Sequence, residues 1–153
     1  MAQSESSKAA ATIRFHAASP ILCVRNLAAS LAHYTQVLGF AVDWNHEGVI
    51  ASVSRDRCNL MLCEGDQGHP GGWVWIGVSD CARLFRELQA AGAKVRNPPT
   101  NYSWALEMQV EDPDGNVLRF GSDPIPGEPS GPWLDMRGLR WARRPEGGWT
   151  KIE

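Results

Sequence analysis

Residues Val110–Asp123 read VEDPDGNVLRFGSD, and residues Val53–Asp66 read VSRDRCNLMLCEGD. Set one beneath the other without a gap, the offset is 110 − 53 = 57, Asn59 falls on Asn116 and Asp66 on Asp123. A second pair extends the match. SPILCVRNLAASLAHY from Ser19 lies over WVWIGVSDCARLFREL from Trp73 at an offset of 73 − 19 = 54. Each begins with a short apolar stretch, passes a polar capping residue and enters a helical pattern, so the chain reads as one module written twice.

Working outward from these stretches, both halves give the same elements. Residues 21–24 form a short apolar strand, and Asn26 caps a helix whose inner face carries Leu27, Leu31, Tyr34 and Leu38. Gly39 ends it, as a left-handed residue closes a last helical turn. Residues 40–44, 48–53 and 59–63 follow as strands. In the second half, residues 73–78 are the strand, Asp80 the cap, Leu84, Leu88 and Ala91 the helical stripe, and Gly92 the stop. Val95 begins another strand, residues 104–110 the next, and Asp112-Pro113-Asp114-Gly115 is a type I turn into residues 116–120. The expected fold is α+β, two tandem βαβββ modules over about residues 19–66 and 73–123. Residues 1–18 are expected to be a flexible N-terminal segment. Residues 124–153 are expected to form a Pro/Gly-rich linker and an extension in which residues 139–143 and 149–152 make a hairpin around Pro145-Glu146-Gly147-Gly148. Trp141 and Trp149 would pack on the main body or on a partner subunit, since several exposed tryptophans cost solubility.

Composition excludes several classes. The 153 residues are 43% hydrophobic and 21% charged with a formal net charge of −2, which suits a globular protein and not a nucleic-acid binder with a clustered basic excess. No apolar run approaches the roughly 20 residues needed to span a bilayer. The start, MAQSESSKAAATIRFH, lacks the apolar centre of a secretory signal, so a cytoplasmic location is expected. Cys23, Cys58, Cys63 and Cys81 form no C-x-x-C pair and read as buried free thiols. Seven tryptophans in so short a chain ask for a large aromatic core or an aromatic binding surface.

The stretches SPILCVRNLAASLAHYTQVLGF, NLMLCE, WVWIGVSDCARLFRELQAAGAKV and VEDPDGNVLRF together resemble the vicinal oxygen chelate superfamily of glyoxalases, ring-cleaving dioxygenases and bleomycin-resistance proteins. The resemblance covers about residues 19–123. It implies modules that each curl four strands into half a cup, dimerisation, and ligands held in the cups. The superfamily's metal enzymes place ligands on the first and last strands of each module, and carried over these positions are Ser19, Leu62, Trp73 and Arg119. A divalent ion needs several converging O, N or S donors. Leucine and tryptophan supply none and arginine repels the ion, so neither a metal nor another cofactor is expected. The histidines give no alternative: His16 precedes the first strand, His33 is placed on the outer side of a helix, His46 in a turn and His69 in a Gly/Pro loop, at spacings unsuited to chelation.

In detail the resemblance is to the bleomycin-resistance branch, through the P-I-L-x-V-R start, LMLCE, and a Trp followed by a Glu before VEDPDGN. Such proteins sequester the drug without chemistry in grooves between two subunits. A flat ligand with a cationic tail calls for aromatic slabs and carboxylates. The slabs available are Phe40, Trp44, Trp73, Trp75, Tyr102 and Trp104, and the carboxylates Asp43, Glu47 and Glu107. The expected ligand-binding set is Trp44, His46, Trp73, Tyr102, Trp104, Glu107 and Arg119, with Phe40 and Trp75 as readily core or interface. Strand alternation puts Glu107 and Gln109 opposite Leu106 and Met108, so with Glu107 inside the cup Trp104 reaches it only from the strand's end. Arg119 would pair with Glu107 or hold an anionic group, which sits awkwardly with a cationic drug. Three functions follow: a dimeric, metal-independent binder of a planar small molecule; a lyase, isomerase or dioxygenase-like enzyme with a rebuilt site; or a scaffold whose cup is filled by its own C-terminal tryptophans.

Overall fold

The computed structural model describes residues 12–152; residues 1–11 of the expected N-terminal segment lie outside them. The first half runs β1 (Ile21–Val24), α1 (Leu27–Gln36), β2 (Ala41–His46), β3 (Ile50–Arg55) and β4 (Cys58–Glu64). The second runs β5 (Trp73–Gly77), α2 (Cys81–Ala90), β6 (Lys94–Asn101), β7 (Leu106–Glu111) and β8 (Val117–Ser122). The sheets have the matching orders β1-β4-β3-β2 and β5-β8-β7-β6, with the first strand of each module parallel to its last. Both helices start as expected. The Asn26 and Asp80 carboxamide and carboxylate accept from the backbone N–H groups of Ala29 and Arg83, satisfying donors that no helical carbonyl can reach. Gly39 adopts φ +73, open to glycine at little steric cost. Pro98 and Pro99 sit within β6, which is tolerated because β6 is an edge strand whose register breaks between Asn97 and Thr100.

Each sheet turns one face to its helix; the other face is bare on the first sheet and receives the C-terminal extension on the second. Leu22, Val24, Leu60 and Leu62 face inward in the first half, and Ile76, Met108, Leu118 and Phe120 in the second, and all belong to one continuous core. Phe40 is part of it, buried edge-on against Tyr34. Leu62 also corrects the expectation. It pairs with Leu22 in the core, while Ser19, Ile21, Met61 and Cys63 alternate onto the open face. The equivalences Leu22/Ile76 and Leu62/Phe120 put Met61, not Leu62, opposite Arg119, at 119 − 61 = 58. The offset of 57 holds for β3 and β7, where Val53 corresponds to Val110, and slips by one across the next turn. Residues 56–57 join Arg55 to Cys58, whereas 113–115 join Asp112 to Asn116, the extra residue being accommodated with Gly115 at φ +80. Because the side-chain period of a strand is two, that one residue exchanges the faces.

The Asp112–Asn116 turn also joins the halves. Tyr34 on α1 donates its buried hydroxyl to Asp112 at 2.9 Å, Arg25 donates from its backbone N–H and Nε to Asp114, and the Asn116 carboxamide donates to the Cys23 carbonyl. The position of His33 differs from the sequence expectation. It is half-buried beside Tyr34, its Nε2 is buried without a hydrogen-bond partner, and burial lowers its pKa although nearby Asp112 opposes that shift. His46 ends strand β2 rather than lying in a turn.

Beyond residue 123 the chain forms a third sheet of three strands, β9 (Trp133–Leu134), β10 (Arg140–Arg143) and β11 (Trp149–Ile152), in the order β11-β10-β9. The β10–β11 hairpin is as expected; β9 adds a strand. Polar side chains of the second sheet's open face fasten it down. Gln109 donates to the Leu134 carbonyl at 2.9 Å, Tyr102 to the Pro132 carbonyl at 2.9 Å, and Arg96 to the Asp135 carbonyl. Asn101 holds the linker through Ile125 and Glu128.

Candidate ligand-binding site

The open face of the second sheet is built in rows by strand register. Trp75, Arg119 and Gln109 form one row, and Gly77, Gly121 and Glu107 the next. The two glycines give the Trp75 indole a floor: a Cβ on Gly121 would lie 2.9 Å from the ring. Glu107 is 1% exposed and has four donors. Arg119 approaches it with Nε at 2.7 Å and Nη2 at 3.1 Å, Trp75 Nε1 at 3.1 Å and Trp104 Nε1 at 3.3 Å. The paired guanidinium and carboxylate geometry is the strong form of this interaction, and here it also fixes two indoles. Trp104, preceding β7, reaches Glu107 from the strand's end.

The extension builds the opposite wall. Arg119 stacks over Trp133 with its guanidinium carbon 5.0 Å from the ring centre, and Arg96 over Trp73 at 5.3 Å. Tyr102 is buried, stacked on Trp104 at 4.7 Å and 2° between ring planes, and burial raises its hydroxyl pKa. Trp149 meets Trp104 edge-on at 6.2 Å. Trp141 donates to Asp135 at 2.9 Å, and that hydrogen bond, with backbone donors from Leu139 and Arg137, holds the carboxyl below the ordinary carboxylate range. Between the walls is a cavity of about 470 Å³, lined by Trp104, Arg119, Trp133, Asp135, Trp141 and Trp149. That size and aromatic lining suit a small organic ligand.

Of the residues singled out from sequence, Trp73, Tyr102, Trp104, Glu107 and Arg119 are thus brought together. Trp44 and His46 are not. They stand on β2, an exposed edge strand of the other sheet. Trp133 and Asp135 were missed because they lie in a Pro/Gly-flanked stretch without periodicity. The surplus of tryptophans was their only signal. A larger cleft of about 710 Å³ lies between the halves, beside the β3–β4 turn and the start of α2. Arg55 there pairs with Glu87 and Asp80 caps α2, Asp56, Arg57 and Arg83 add further charge to its lining, and it lacks the Arg119 cluster.

The positions that would hold a metal in this architecture carry Ser19, Met61, Trp73 and Arg119. Ser19 donates to Asn59, Arg119 is bound to Glu107, and the others offer a thioether and an indole. This donor set does not fit a divalent ion. Among the described residues no three His, Cys, Asp or Glu side chains are grouped to hold one.

The Glyoxalase/Bleomycin resistance protein/Dioxygenase superfamily model matches residues 14–120. The chain belongs to this superfamily. No curated protein matches the sequence. Among solved structures, the bleomycin-binding protein of bleomycin-producing Streptomyces verticillus, complexed with copper(II)-bleomycin, is 25% identical, with a TM-score of 0.62 over 72% of this chain and 98% of that one. A glyoxalase/bleomycin resistance protein/dioxygenase from Nocardioides is 21% identical, with a TM-score of 0.59 over 78% and 91%. TioX from Micromonospora sp. ML1 is 19% identical, with a TM-score of 0.61 over 70% and 98%. The last two speak to fold alone. The superfamily match ends before β9, so four of the six residues lining the cavity lie beyond it.

Proposed function

We propose that this protein is a metal-independent small-molecule binder of the bleomycin-resistance type, sequestering a planar ligand in an aromatic groove and carrying out no chemistry on it. The observation that supports this is the cavity of about 470 Å³ in which four indoles surround Arg119. The fold by itself hosts many activities. Trp104 and Arg119 touch the ligand, Trp133, Trp141 and Trp149 enclose it, and Trp73, Tyr102 and Glu107 hold these groups in place. The likeness to a bleomycin-binding protein supports the ligand class. Two copies pair through the bare face of the first sheet, where Ile21 and Trp44 are exposed, and Trp44 and His46 take part through that contact. The protein acts in the cytoplasm.

Titration of the intact, chelator-treated protein with metal-free bleomycin, followed by tryptophan fluorescence and calorimetry, tests this. Saturable binding near micromolar or tighter, worth about 8 kcal/mol or more, is expected. Absence of binding would discard the reading. The dimer is tested by light scattering, with twice 16.8 kDa expected and a monomer contradicting it.

A further inference from the structure

From the donors that line the aromatic cavity, we infer that the part of the ligand held in it is a flat aromatic ring bearing an acceptor oxygen, with a carboxylate preferred there over a carboxamide and any cationic tail of the same ligand left outside the cavity. This rests on the cavity being the ligand site, and it concerns a pocket that the C-terminal extension completes within one chain.

Aromatic boxes flanked by carboxylates ordinarily suggest a cation, and the cavity has both features. Its carboxylates are, however, already engaged. Glu107 accepts from Arg119 Nε and Nη2 and from the indoles of Trp75 and Trp104, so its oxygens have the roughly four partners a carboxylate can accept. Asp135 accepts from Trp141 Nε1 and from the backbone N–H groups of Arg137 and Leu139. The faces are engaged too: Arg119 covers Trp133, Tyr102 covers one side of Trp104, and Arg143 lies 5.8 Å over Trp149.

What remains unspent is a set of donors. Arg119 lines the cavity with its side chain 26% exposed, and its Nη1 donates to no group among the described residues. The same is true of Nε1 of Trp133 and of Trp149, whereas Trp75, Trp104 and Trp141 have spent theirs. Three guanidiniums, of Arg96, Arg119 and Arg143, stand in or beside the cavity against the two carboxylates. A ligand that brings acceptors can take these donors over from water, and a negative charge on it is favoured beside Arg119. A cation in the cavity would meet Arg119 directly, every carboxylate oxygen there already accepts at least one hydrogen bond, and Arg119 already covers one face of Trp133.

The test is calorimetric titration of the full chain with three naphthalenes of matched shape: 2-naphthoate, 2-naphthamide and 2-naphthylmethylammonium. The expected order is naphthoate, naphthamide, ammonium, with at least tenfold between first and last. Arg119→Gln combined with Glu107→Gln keeps polar partners but removes the charge, and should bring the naphthoate affinity to within about twofold of the naphthamide. If that pair fails to fold, Arg143→Ala at the exposed rim should weaken naphthoate several-fold and leave naphthamide unchanged. Equal binding of all three would overturn the inference while leaving the aromatic cavity as the ligand site. Tightest binding of the ammonium would also overturn it, and no binding by any would remove both.

Discussion

The two sheets share a topology, and their open faces have opposite fates. On the first, the row Trp44, Ser52, Met61 and Ile21 has no sheet over it, with Trp44 and Ile21 exposed and Ser52 buried, and a small polar cluster runs from Ser52 into the next row. There Asp43 accepts from Ser52, Ser54 and Asn59, which lowers its pKa. On the second, the row equivalent to that of Trp44 carries Trp75, Arg119 and Gln109, Glu107 stands in the row on its other side at the place of Ile50, and a third sheet lies on top. Met61 and Arg119 occupy equivalent positions. A thioether needs no partner, whereas a guanidinium on an otherwise apolar wall needs a carboxylate, and Glu107 answers it. The duplicated fold thus supplies two platforms, and the substitutions on one of them, with the extension, turn it into a pocket.

The comparison can be broken at its strongest point first. Arg119→Leu leaves Glu107 buried without its ion-pair partner and should cost about 3–5 kcal/mol. The same substitution at the equivalent place, Met61→Leu, conserves volume and should cost less than about 1.5 kcal/mol. Chemical denaturation of both variants measures the difference, and equal effects would remove the asymmetry. Next, Trp133→Ala removes the indole between Arg119, Tyr102 and Trp104, for which about 3 kcal/mol is expected, roughly 6–12 °C in melting temperature for a domain of this size. Melting curves check it.

The covered face should respond to acid at Asp135. Its folded pKa lies below the unfolded value, so its contribution to stability is present above the ordinary aspartate range and is lost as pH falls through the depressed value. As pH falls below the ordinary aspartate range the Trp141–Asp135 contact should loosen, read as a change in tryptophan emission. Asp135→Asn should flatten that part of the profile. The smallest effect belongs to the bare face, where Trp44→Ala should change the stability of a single chain by no more than about 0.5 kcal/mol while weakening the dimer seen by light scattering.

The sequence carried the elements of both modules because their signals are local: the caps at Asn26 and Asp80, the stop at Gly39, and the apolar runs of β1 and β5. It carried five of the residues that meet at the cavity's inner wall because register and alternation are also short-range. Which last-strand residue of the first module faces out was not legible. Shared Asn and Asp residues favour a gapless alignment, and the one extra residue in the Asp112–Asn116 turn exchanges Met61 for Leu62. The outer wall was not legible either. Trp133, Leu134 and Asp135 are placed by contacts with Arg119, Gln109 and Arg96, between 14 and 39 residues away in the chain. No local pattern encodes such docking.

The claim that the covered face of the second sheet is the binding site is tested most directly by titrating two variants with metal-free bleomycin in the calorimeter, alongside the unaltered protein. Trp104→Ala should weaken binding at least tenfold, and Trp44→Ala should change it less than twofold. The reverse pattern, with Trp44 essential and Trp104 dispensable, would contradict the account.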